Sequence, residues 1–65
     1  MRIEVNGDAR DIKATTLAGV LAELGWGAAR VATALNGAFV PGAARDTTTL
    51  REGDRLEVLA PMQGG

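Results

Sequence analysis

The chain has 65 residues and no cysteine, enough for one domain that buries only about 60% of its unfolded surface and has no disulfide to staple it. Hydrophobic residues make up 46% and charged residues 23%, at a net charge of −1, which disfavours a disordered chain; seven basic residues dispersed among eight acidic ones leave no basic stripe for nucleic acid. Histidine, serine and tyrosine are absent as well, so six threonines, Lys13 and the carboxylates are the only nucleophiles or bases, none at catalytic or metal-ligand spacing, and an enzyme is not expected.

Met1, Ile3 and Val5 alternate with Arg2 and Glu4, the period-2 pattern of a half-buried strand, and Asn6-Gly7-Asp8 supplies a hairpin turn. The returning strand is predicted over Ala9 to Lys13, with Ile12 as its inward anchor. Thr15 or Thr16 is the N-cap of a helix running from about Thr16 to Leu24, because Leu17, Val20, Leu21 and Leu24 recur at helical spacing and Gly25 fits a left-handed C-cap. Trp26, just past that cap, reads as a lid folded back on the last turn rather than as an exposed contact.

Val31 to Leu35 forms a third strand, closed by Asn36-Gly37, and Ala38-Phe39-Val40 a short fourth before Pro41-Gly42. Residues 41–49 read as a polar loop, with Leu50 dropping into the core after it. Glu52-Gly53-Asp54 is a tight turn into the last strand, Arg55 to Ala60, where Leu56 and Val58 face inward. Pro61 cannot donate a ladder hydrogen bond and ends that strand, which divides the chain into a domain at 1–60 and a free, flexible tail at 61–65. Five extended residues reach roughly 16–18 Å, enough to thread a narrow channel in a partner. Gly64 and Gly65 have no Cβ to obstruct approach to the terminal carbonyl carbon. Glycine is also common at frayed chain ends, so the tail alone decides nothing. Leu59 and Met62 are apolar residues left over from the inward set, a candidate docking surface beside the tail.

One helix among strands is an α+β pattern, with the helix crossing one face of a sheet. The order of elements, the Asn6-Gly7 hairpin, the Ala34-Leu35-Asn36-Gly37 segment and the Pro61-Met62-Gln63-Gly64-Gly65 ending resemble the ubiquitin-like β-grasp sulfur carriers, most closely the ThiS type of thiamine biosynthesis. The resemblance covers the whole chain. It implies a mixed sheet of four to five strands with the first strand parallel to the last and one main helix packed on one face.

The resemblance also implies a chemistry. A ThiF-type adenylyltransferase, using ATP and Mg²⁺, would convert the Gly65 carboxylate to an acyl adenylate. A persulfide from a cysteine desulfurase or another donor would displace AMP and leave a thiocarboxylate, which a ThiG-type thiazole synthase would use to build the thiazole ring of thiamine. Gly64 would permit entry into the partner's channel, and Gln63, Met62 and Pro61 would be tail contacts. The chain itself would bind no cofactor and no metal. No apolar run approaches the ~20 residues that span a bilayer and no signal-peptide pattern opens the chain, so the expected location is cytoplasmic. Delivery to molybdopterin or another sulfur metabolite, a ubiquitin-like protein modifier and a plain interaction domain are the other readings of the same residues.

Overall fold

A computed structural model of the chain describes residues 1–27 and 29–60. Its sheet is built from two hairpins that differ in sequence but share one turn. β1 (Arg2–Val5) runs antiparallel to β2 (Asp8–Asp11), and β3 (Ala32–Leu35) runs antiparallel to β4 (Ala38–Val40). Each turn sets two consecutive residues at positive φ: Asn6 at 50° and Gly7 at 89°, then Asn36 at 51° and Gly37 at 85°. This is the type I′ geometry, whose twist matches the strands it joins, and Asn-Gly is the dipeptide that adopts it most readily. β5 (Arg55–Leu59) enters between the hairpins, parallel to β1 and antiparallel to β3. The five strands therefore lie in the order β2-β1-β5-β3-β4, and the last strand of the chain is the middle one of the sheet.

The helix α1 (Leu17–Glu23) is capped at both ends by the residues the sequence singles out. Thr16 Oγ1 accepts from the Gly19 N–H at 3.2 Å. At the other end Gly25, at φ 94°, donates to Ala22 O at 3.1 Å, while Trp26 donates to Leu21 O at 2.8 Å, the paired bonds of a Schellman motif. A seven-residue helix is marginal alone, so packing must hold it. Leu17, Val20 and Leu21 are buried against Ile3, Val5, Leu56 and Val58 of the sheet, each worth about 1.5–3 kcal/mol of apolar transfer. Trp26 is half-buried against the same core, as the lid reading expects. Leu50 joins the core because residues 48–50 are tied beside the helix start, with Leu17 N–H to Thr48 O and Leu50 N–H to Thr15 O both at 2.8 Å.

Beyond single-residue trims at the starts of β1 and α1 and at the end of α1, the observed elements depart from the expected ones at four places. β2 spans Asp8–Asp11 rather than Ala9 to Lys13, yet Ile12 beyond its end is buried because it exchanges two 2.8 Å hydrogen bonds with Met1. β3 begins at Ala32, and β5 stops at Leu59, one residue short of Ala60. The fourth departure is the largest. Residues 41–49, expected to be a polar loop, contain a 3-10 helix at Gly42–Thr47. It has no apolar periodicity to announce it; Pro41 O accepts from Ala44 N–H at 2.9 Å and Ala44 O from Thr48 Oγ1 at 2.7 Å. Arg45 pins it to the sheet, its Nε donating to Thr33 Oγ1 at 3.2 Å and its Nη2 to Val31 O.

Candidate functional site

The site is built outward from the end of β5. Along this strand Leu56 and Val58 are buried, while Arg55, Glu57 and Leu59 point to the other side. Register with β1 ends at Val5 opposite Leu56, because β1 then turns away into its hairpin. Asn6, the first turn residue, continues the pairing with its side chain. Its Oδ1 accepts from the Val58 N–H at 2.8 Å and its Nδ2 donates to Val58 O at 3.1 Å, so one carboxamide satisfies both backbone groups that β1 no longer reaches. On the opposite edge Leu59 is paired with Ala32. β5 is thus held on the β1 side as far as Val58 and on the β3 side as far as Leu59. Asn36 of the second hairpin holds the strand's beginning: its Oδ1 accepts from Arg55 N–H at 2.9 Å, and its own N–H donates to Arg55 O at 2.8 Å.

The sheet face away from the helix divides into two halves. Cross-strand register places Leu59 opposite Ala32, and Phe39 and Glu57 on either side of Ala34, so four apolar side chains share one surface with Glu57 at its edge. Phe39 and Leu59 are each 70% exposed and are, among the described residues, the large apolar side chains that the core leaves outside. Beside them Arg30, Val31, Ala32, Leu59 and Ala60 line a shallow, mostly apolar groove at the end of β5. The half formed by β1 and β2 is charged. Arg2 and Asp11 pair at 3.0 Å in an exposed setting, where such a pair contributes little to stability, although the hydrogen bond from the Arg2 guanidinium holds the Asp11 carboxyl below its ordinary value. Glu4 stands opposite Arg55.

Of the residues singled out in the sequence, Leu59 is in place at this surface, whereas Pro61, Met62, Gln63, Gly64 and Gly65 lie outside the described residues. The structure describes the chain to Ala60, one residue beyond β5. From the sequence, Phe39 belongs to a short strand with no face assigned to it, and the structure puts it on this surface. Strand alternation sets Phe39 and Val40 on opposite faces, but which of the two turns inward is decided by the pairing of β4 with β3, which buries Val40. Among the described residues no group of three or more potential metal ligands occurs, and no helix is long and apolar enough to cross a membrane.

The ThiS family model matches residues 3–65 of the sequence. This chain belongs to the ThiS family. It is 41% identical over 61 residues to the sulfur carrier protein ThiS of Thermus thermophilus, a match that spans 94% of this chain and 95% of that one. The crystal structure of the thiamine biosynthesis protein ThiS from Geobacter metallireducens superposes with a TM-score of 0.84 at 32% identity, covering the whole of both chains. The solution structure of a thiamine biosynthesis protein from the same organism gives 0.80 at 30% identity, covering this chain entirely and 88% of the other. The five-stranded mixed sheet with one main helix is accordingly the β-grasp fold of the ThiS family.

Proposed function

We propose that this chain is a sulfur carrier of thiamine biosynthesis, a protein co-substrate rather than an enzyme, and that its working group is the carboxylate of Gly65. The observation that carries the reading is the family match running through Gly64-Gly65, on a chain with 41% identity to a sulfur carrier protein ThiS. A terminal carboxylate, with an ordinary pKa of about 3.3–3.7, is ionised at neutral pH and is a poor acyl donor. It must first be activated. An adenylyltransferase partner would supply ATP and Mg²⁺; a carboxylate oxygen attacks the α-phosphorus, pyrophosphate leaves and Gly65 becomes an acyl adenylate. A persulfide on a partner then attacks the carbonyl carbon and expels AMP, and thiol cleavage of the sulfur–sulfur bond leaves the thiocarboxylate. Since this chain has no cysteine, every thiol in that sequence belongs to a partner. The thiocarboxylate is the nucleophile a thiazole synthase would use.

The apolar half of the outer sheet face, with Leu59 and Phe39, is the docking surface in this reading, next to the strand from which residues 60–65 continue. Intact-mass measurement after incubation with a ThiF-type adenylyltransferase, ATP, Mg²⁺ and a sulfur source should show one sulfur-for-oxygen exchange. Deleting Gly65 should abolish the gain while leaving thermal unfolding nearly unchanged. A chain that takes up no sulfur beside an active control carrier would refute the proposal.

A further inference from the structure

We infer that Asn6 is a positioning residue for the C-terminal segment: its carboxamide, reaching from the first hairpin turn to both backbone groups of Val58, fixes the strand end from which residues 60–65 are offered to a partner. This rests on the carrier reading and adds to it a residue 52 positions away in sequence from the one it holds. Alternate residues of β5 direct their backbone groups to opposite edges: Asp54 O and Leu56 O accept from Glu4 and Asn6 N–H on the β1 side, and Arg55 O accepts from Asn36 N–H on the β3 side. Val58 therefore faces β1, where strand pairing has already ended at Val5 opposite Leu56. Both Asn6 bonds, at 2.8 and 3.1 Å, are made to this one residue, two positions before Ala60. Without them the last turn of the ladder is held from the β3 side alone, through Leu59 and Ala32.

A partner that binds both the apolar sheet face and the chain beyond Ala60 needs those two parts in a fixed relation. Leu59 belongs to the surface, and Val58 is the neighbour whose backbone Asn6 locks. A strand end already in place spares the complex the entropy of ordering it on binding. The charge and shape of the partner do not enter; the clamp acts on this chain before any encounter.

The test compares three variants. Asn6→Gly retains the positive φ of the turn and removes the carboxamide. Asn6→Asp retains the acceptor for Val58 N–H and loses the donor to Val58 O. Asn36→Gly removes the equivalent side chain at the far end of β5 and serves as the stability control. Hydrogen exchange of the Val58 amide should accelerate roughly thirtyfold in Asn6→Gly, the loss of two ordinary hydrogen bonds, and less in Asn6→Asp. In the sulfur-loading reaction with the adenylyltransferase, ATP, Mg²⁺ and inorganic sulfide, Asn6→Gly should raise the KM for the chain about tenfold with kcat retained, the pattern of lost ground-state order. Asn6→Asp should fall between, and Asn36→Gly should lower Tm by a similar amount without changing KM. Equal KM values for Asn6→Gly and Asn36→Gly, or unchanged exchange at Val58, would overturn the inference. Failure of the unmodified chain to load sulfur would instead remove the carrier reading and the positioning role with it, whatever the exchange rates.

Discussion

Among the described residues Thr33 is the buried polar side chain of the core, 1% exposed, and its hydroxyl makes two different bonds: it donates to Val40 O at 2.8 Å and accepts from Arg45 Nε at 3.2 Å. One hydroxyl thereby joins β3 to β4 and the sheet to the 3-10 helix. Thr33→Val preserves the shape but leaves a carbonyl and a guanidinium N–H without their partner, so it should cost about 1–3 kcal/mol in urea unfolding, whereas Thr33→Ser, which keeps the hydroxyl, should cost less. Equal midpoints for the valine variant and the wild type would show that these bonds contribute nothing. Glu23 offers a separate test through pH. Hydrogen bonds from the Ala14 and Lys13 N–H groups, at 2.9 Å and 3.0 Å, hold its carboxyl below the ordinary 4.5. A depressed value in the folded state gives stability that is complete above the unfolded value and disappears as pH falls through the folded one. Between about pH 5 and pH 3 the wild type should therefore lose Tm more steeply than Glu23→Gln. Parallel curves would mean that these bonds do not depend on the charge.

At the level of elements, what was legible and what was not follows from where each element gets its support. The hairpins were legible because Asn-Gly at 6–7 and 36–37 encodes a turn locally, and the helix because Leu17, Val20, Leu21 and Leu24 mark one face between Thr16 and Gly25. The 3-10 helix Gly42–Thr47 was not, since its stability comes from Arg45 reaching bonds 12 and 14 residues back in the chain. Asn6 shows the same division within one residue. Its place in a turn is written in its neighbour Gly7, while its bonds to Val58 depend on a parallel strand pairing that no local pattern reveals. The surface at Leu59 was half legible: an apolar residue out of phase with Leu56 and Val58 marked it, but Phe39 required knowing which way β4 faces.

At the level of the molecule, the β1–β2 side of the outer face carries the Arg2–Asp11 pair, while Phe39, Leu59 and the groove at Val31 and Ala32 gather apolar surface at the end of β5, with Glu57 at its margin. Leu59→Asp changes a residue that is 70% exposed, so it should leave unfolding within about 0.5 kcal/mol of wild type while weakening association with the adenylyltransferase proposed as its partner, measured by titration calorimetry. Undiminished association would remove this surface from the proposed docking site. The twin turns carry one more implication, for how this protein ages. Asn-Gly is the dipeptide in which the glycine nitrogen most readily attacks the neighbouring carboxamide carbon, ammonia departs, and the cyclic imide opens to aspartate or isoaspartate. In the folded chain both carboxamides are occupied, Asn6 by Val58 and Asn36 by Arg55 and Asp54. These bonds hold both carboxamides away from attack, so deamidation draws on opened forms of the sheet, and because imide formation is far slower than reclosing its pace follows the equilibrium population of those forms.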